Sequence, residues 1–144
     1  MKFKLKIAPP TATAQQKGER VVGRYIQHYK KKNVKVAEAI LRDALLPYVP
    51  EEPITGVPIY FDAVWMFPYP KKARKHGPFD VMHKMTRPDT DNLNKLLKDV
   101  MTDMGFWKDD ALICIERIEK CYCDEPGILI TIEERSMKET GRCF

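Results

Sequence analysis

Apolar and polar residues alternate from the first positions of the chain, with Phe3, Leu5 and Ile7 on one side and Lys2, Lys4 and Lys6 on the other. A period of two predicts a half-buried strand over residues 2–7. Ala8-Pro9-Pro10 ends it, because consecutive prolines donate no ladder hydrogen bonds, and the polar stretch 11–18 (TATAQQKG) reads as a loop. Between 34 and 48 the apolar positions Val36, Ala37, Ile40, Leu41, Ala44, Leu45 and Tyr48 recur at three and four, predicting a helix limited by Pro47 and Pro50. The run from Val57 to Phe67 is rich in β-branched and aromatic residues and predicts a strand, with Pro58 assigning it to a sheet edge or marking the strand's start. A basic, proline-bounded loop (PYPKKARKHGP) follows. The clearest element is a helix carrying Leu93, Leu96, Leu97, Val100, Met101 and Met104, stopped by Gly105. Two strands close the pattern, Ala111–Tyr122 and Ile128–Ile132, with an Asp-Glu-Pro-Gly turn between them that reads as a hairpin connection.

No internal repeat or linker interrupts this order, so the expectation is one α/β (α+β) domain over residues 1–144. It should hold a single mixed β-sheet packed with two main helices, and a poorly structured tail after about residue 135. The length, 144 residues, suits one domain and leaves no room for a second independent core. With 44% apolar and 31% charged residues, the chain is neither collagen-like nor wholly disordered. No apolar stretch approaches the roughly 18 residues of a membrane span, and the alternating start is not a signal peptide. Cys114, Cys121, Cys123 and Cys143 are too unevenly spaced for a disulfide framework, so reduced thiols and a cytoplasmic location are expected. Cys121 and Cys123 share one face of a strand, but zinc needs two further ligands, and His28, His76 and His83 are scattered.

Charge changes the picture more. The formal net charge is +5, which raises the prospect of a nucleic-acid partner. Lys17, Lys30, Lys31, Lys32, Lys71, Lys72, Arg74 and Lys75, all ahead of the acidic stretch, are candidate phosphate contacts. Asp89, Asp91, Asp99, Asp103, Asp109 and Asp110 crowd a short stretch of the second half. Two carboxylates 4 Å apart repel by about 4 kcal/mol at an effective dielectric near 20, so such a cluster requires separation, protonation or a cation. Pro88 keeps Arg87 out of helical geometry, so Asp89 and Asp91 fall at the start of the helix. An aspartate cap is worth about 1 kcal/mol, and one aspartate suffices for it. The second carboxylate needs its own account. Lys95 follows Asp91 by four residues, fit either for an ordinary helix ion pair or for contact with a phosphate. Asp109 and Asp110 come after the helix, about 20 Å further along for its roughly 13 residues. They meet Asp89 only if the next strand runs back along the helix or a second subunit contributes.

The segment RPDTDNLNKLLKDVMTDMGFWKDDALI, residues 87–113, closely resembles the signature of RusA-type Holliday-junction resolvases, crossover junction endodeoxyribonucleases common in phages and prophages. The resemblance implies that Asp89, Asp91 and Asp110 bind the catalytic metal, that Lys95 supports catalysis beside the scissile phosphate, and that Asp109 is a neighbour of uncertain role. It further implies a RusA-like homodimer and Mg²⁺, with Mn²⁺ as a substitute. The implied substrate is four-way or otherwise branched DNA, cut by paired symmetric nicks in recombination and repair. Mg²⁺ prefers hard oxygen ligands and retains waters, so a few aspartates suffice for it. Two other readings are a phage nuclease acting on different branched DNA and a catalytically silent junction-binding protein.

Overall fold

The computed structural model describes residues 1–13, 17–71 and 81–138. Lys72, Arg74, Lys75, His76 and Cys143 therefore lie outside the described residues, as does most of the proline-bounded basic loop. In chain order the elements are β1 (Lys2–Leu5), β2 (Lys17–Val22), β3 (Tyr25–Lys30), α1 (Lys32–Leu45), β4 (Ile59–Pro68), β5 (Met82–His83), α2 (Thr90–Asp103), β6 (Ile113–Cys123) and β7 (Gly127–Glu134). Short 3₁₀ turns at Leu46–Tyr48 and Asp110–Leu112 follow α1 and precede β6.

Among the described residues the main sheet has the order β1-β7-β4-β6-β5, with β6 parallel to β4 and every other pair antiparallel. β4 is central because it is the most apolar strand: Ile59, Phe61, Ala63, Trp65 and Phe67 are all buried. Cross-strand partners share a face, so Phe61, Trp65 and Phe67 stand beside Glu116, Lys120 and Tyr122 of β6. Both helices cover this face. α1 contributes Val34, Ala37, Leu41 and Leu45 to the core, and α2 contributes Leu93, Leu96, Leu97, Val100 and Met101.

The mixed sheet and its two helices agree with the sequence expectation. Three details differ from it. Strands β6 and β7 are not a hairpin, because β4 inserts between them and takes one edge of each. The apolar β4 gains more by burial on both edges than either partner gains from a local turn. Gly127 is explained by packing: a Cβ there would lie 2.5 Å from the Leu5 carbonyl oxygen of β1, which only a glycine avoids. Secondly, the predicted loop 11–18 ends early, for Lys17 and Gly18 already belong to β2, which pairs with β3 as a separate antiparallel hairpin around Gly23-Arg24, with Gly23 at φ 64°. Thirdly, the buried stripe of α1 is rotated from the predicted one, leaving Val36 and Ile40 exposed and Val34 buried. Pro58 marks the start of β4, not a sheet edge.

Candidate functional site

The acidic residues gather meaning from how α2 is held. Asn94 is 1% exposed and faces the sheet. Its Oδ1 accepts a 3.2 Å hydrogen bond from Trp65 Nε1, and its Nδ2 donates over 2.6 Å to Glu116 Oε1. Lys98 Nζ donates over 3.0 Å to the other oxygen of Glu116. A buried amide satisfied on both sides fixes the rotation of the helix about its axis, since turning it would strand the Trp65 N–H and the Glu116 carboxylate. With Asn94 inward, Asp91 and Lys95 are on the exposed side.

At the helix start, Asp89 occupies the N-cap with extended backbone (φ −73°, ψ 148°), and its carbonyl accepts from the Leu93 N–H at 3.1 Å. Its side chain makes no capping hydrogen bond. Among the described residues neither Asp89 nor Asp91 forms a side-chain hydrogen bond or ion pair, and the Asp91–Lys95 pair allowed by spacing is not made. Both carboxylates are exposed. Next to them, Asn92 Oδ1 is buried without a hydrogen-bond partner, the one such side-chain atom among the described residues. Capping accounts for the main chain at this turn and leaves the two carboxylates and one amide oxygen unspent.

The chain ahead of the turn is tied down by two lysines. Lys120 Nζ donates to the carbonyls of Thr86 at 2.9 Å and Pro88 at 2.7 Å, and Lys84 Nζ donates to the Arg87 carbonyl at 2.7 Å. Lys84 also contacts Thr86 Oγ1 and the Tyr122 hydroxyl. The Thr86 hydrogen bond, with help from the Lys84 ammonium, holds the Tyr122 phenol below its ordinary pKa. Sequence reading passed over both lysines, because an isolated Lys in a polar segment is indistinguishable from a solvated one until the fold buries it.

Strand β6 does run back along α2. Glu116 lies beside Asn94 and Lys98, and Lys120, four residues on, lies beside Pro88. The strand therefore starts at the C-terminal end of the helix, and Asp110, six residues before Glu116, lies toward that end. α2 has 14 residues, a length of about 21 Å at 1.5 Å per residue. One chain thus does not bring Asp110 to Asp89 and Asp91, and among its described residues no three His, Cys, Asp or Glu side chains form a metal-binding group. Asp109 and Asp110 also separate in kind. Asp109 Oδ1 accepts from the Ala111 N–H at 2.8 Å and caps the 3₁₀ turn, whereas Asp110 is exposed with no side-chain partner among the described residues.

Of the basic candidates, Lys17 pairs in register with Lys30, which brings the backbone at Lys17 to the start of α1 where Lys31 and Lys32 follow. Lys31 is the N-cap of α1, and the first turn contains no acid. Cations at a helix N-terminus oppose the macrodipole by roughly 0.3–1 kcal/mol each, so helix stability does not explain this cluster. Lys71 is exposed at the edge of the described residues. Trp107 is buried edge-on against Phe61, and its Nε1 donates to Thr102 Oγ1 at 2.7 Å, so it belongs to the core. Burial, reinforced by Cys123 and Glu119, pushes the Cys121 thiol up to about 11, and among the described residues no metal-binding group forms around it.

Residues 8–133 match the family described as endodeoxyribonuclease RusA. Among individual proteins, the chain is 28% identical over 133 residues to the crossover junction endodeoxyribonuclease rusA of Lactococcus phage r1t, covering 92% of this chain and 96% of that protein. It is 31% identical over 93 residues to the uncharacterized protein YqaN of Bacillus subtilis (strain 168), covering 60% of this chain and 64% of YqaN. No helix among the described residues is long and apolar enough to cross a membrane.

Proposed function

The chain belongs to the RusA endodeoxyribonuclease family, and on that premise we propose that it is a divalent-metal-dependent nuclease that resolves four-way DNA junctions by paired, symmetric nicks in the cytoplasm. The observation that carries the reading is the pair of exposed carboxylates, Asp89 and Asp91, at the start of α2 with neither capping nor ion pairing to occupy them. The helix dipole favours an acid at this end by roughly 0.3–1 kcal/mol, but neither carboxylate is used by a cap or an ion pair, so both are available to a ligand.

Their chemistry fits a hard cation. Mg²⁺ needs only one or two carboxylates when waters and phosphate oxygens complete its shell. Asp89 and Asp91 would hold the ion, and Asp110 of the partner subunit would complete the set. When bound, Mg²⁺ or Mn²⁺ supplies Lewis acidity to the phosphate and lowers the pKa of a water. Lys95, exposed one turn after Asp91, meets the phosphate and stabilises the negative charge that builds on its oxygens during displacement. The lysines of the hairpin base and α1 start, Lys17, Lys30, Lys31 and Lys32, and those of the basic loop, Lys71, Lys72, Arg74 and Lys75, would bind phosphates along the arms.

A homodimer follows from both partners in the reaction. A four-way junction is close to two-fold symmetric and needs two opposed nicks, and a two-fold dimer presents two equivalent sites. In such a dimer the partner subunit could supply the Asp110 that one chain does not bring to its own acidic turn.

The test is a synthetic four-way junction beside linear duplex of equal sequence, with and without Mg²⁺. The wild-type protein should nick the junction at paired positions only with the metal, and spare the duplex. Asp91→Asn should bind the junction with unchanged affinity and cut it at least about a hundredfold more slowly, in the range seen when metal-supporting groups are lost. Binding without any cleavage by the wild type would leave a silent junction-binding protein in its place.

A further inference from the structure

Lys84 is 8% exposed, and among the described residues its ammonium meets no carboxylate. Burying an unpaired ammonium costs several kcal/mol unless its donors are satisfied. They are: one goes to the Arg87 carbonyl at 2.7 Å, one to Thr86 Oγ1 and one to the Tyr122 hydroxyl at 3.3 Å. The rings of Phe67 and Tyr122 lie with centroids 5.3 and 5.2 Å from the nitrogen. Lys120 adds its bonds to the Thr86 and Pro88 carbonyls, and the Lys84 N–H itself donates to the Lys120 carbonyl at 3.1 Å. Three successive carbonyls, 86, 87 and 88, are therefore each held by an ammonium, and the next residue in the chain is Asp89.

These contacts offset the desolvation without giving the fold more than a well-packed apolar side chain would. An apolar side chain in place of Lys84 would pack against Phe67 without desolvating a charge, and the carbonyls of Thr86 and Arg87, both exposed residues, could face water at little cost. What the two ammonium groups do provide is a fixed main-chain path into the acidic turn, anchored to β6 in the rigid sheet. Sites that hold a cation lose effectiveness when their ligands drift by about 0.5 Å.

We propose that Lys84 and Lys120 are positioning residues of the nuclease site: by clamping carbonyls 86–88 they set the direction in which Asp89 and Asp91 present their carboxylates to one divalent cation. The proposal rests on the nuclease reading above. Neither lysine touches the substrate, and both act through the backbone ahead of Asp89.

Lys84→Met and Lys120→Met keep the stems and remove the charges, and Lys120→Arg restores a cation within reach of both carbonyls. Mn²⁺ binding to the free protein, followed by electron paramagnetic resonance, reads the site without cleavage, and circular dichroism with thermal melting verifies folding. Lys120 is only partly buried, so its variant serves even if Lys84→Met does not fold. The Met variants should bind Mn²⁺ about tenfold more weakly or worse, the usual scale for removing a group that orients metal ligands. Turnover on the junction should fall while KM for the junction stays unchanged, and Lys120→Arg should recover most of both. Folded Met variants with wild-type Mn²⁺ affinity and turnover would overturn the proposal, as would a defect confined to KM, which would make the lysines DNA contacts. If the wild type cuts no junction but the Met variants still lose Mn²⁺ affinity, the clamp stands and the nuclease reading falls.

Discussion

Asp109 and Asp110 are neighbours of the same type with opposite employment. The Asp109 carboxylate caps the 3₁₀ turn through the Ala111 N–H, while that of Asp110 points into solvent with no partner among the described residues. Position alone could not divide them, because a DD pair offers two equivalent candidates until the backbone chooses which one closes the turn. The division predicts separable phenotypes. Asp109→Ala should lower unfolding free energy in urea by about 1 kcal/mol, the usual value of an aspartate cap, and retain most junction cleavage. Asp110→Asn should leave stability within about 0.5 kcal/mol, the scatter expected of an exposed substitution, and abolish cleavage. The reverse pattern would assign the catalytic part to Asp109. Asp89 gives the same lesson from the other side: it sits where a capping aspartate belongs, yet only its carbonyl takes part in the helix.

At the scale of elements, α2 was legible because its signals agree. Its apolar series, the proline before it and Gly105 after it, at φ 84°, all mark the same boundaries. The β2–β3 hairpin was not legible, since the apolar residues beside its turn, Val21, Val22, Tyr25 and Ile26, are all exposed. Four apolar side chains left exposed around the turn give no burial period to read there. The polar contacts beneath α2 were equally hidden: Asn94 falls in a run of Asn, Lys and Leu, and only the register of β4 against β6 shows that Trp65 and Glu116 flank it. Removing that amide strands a buried indole N–H and a carboxylate oxygen, at about 1–3 kcal/mol for each unsatisfied group. Asn94→Ala should accordingly lower stability by about 2–3 kcal/mol in urea unfolding, whereas Asn94→Asp, which still accepts from Trp65, should lose the donor to Glu116 and add charge repulsion. An alanine variant as stable as wild type would show that the helix is oriented by its apolar face alone.

Across the whole molecule, the sheet order rather than any motif decides which acids can meet. The sequence spacing left two routes for Asp110 to reach Asp89, a returning strand or a second subunit. The strand does return, but with Asp110 at the far end of α2, because β6 has to lie parallel to β4 with its start beside the end of the helix. A non-local strand pairing carries no trace in the residues between 89 and 110, so the spacing could not choose between the two routes. On the proposed reading, a dimer that shares its acidic residues would supply the missing Asp110 and match the symmetry of a four-way junction. Mixing Asp91→Asn with Asp110→Asn protein tests that most directly. Each variant alone should be inactive on a synthetic junction. In a mixed dimer with shared sites, one site carries both substitutions and the other carries neither, so the mixture should regain Mg²⁺-dependent nicking of a single strand per junction. A mixture as inactive as its parents, under conditions where subunits demonstrably exchange and the wild type cuts, would contradict the shared acidic site.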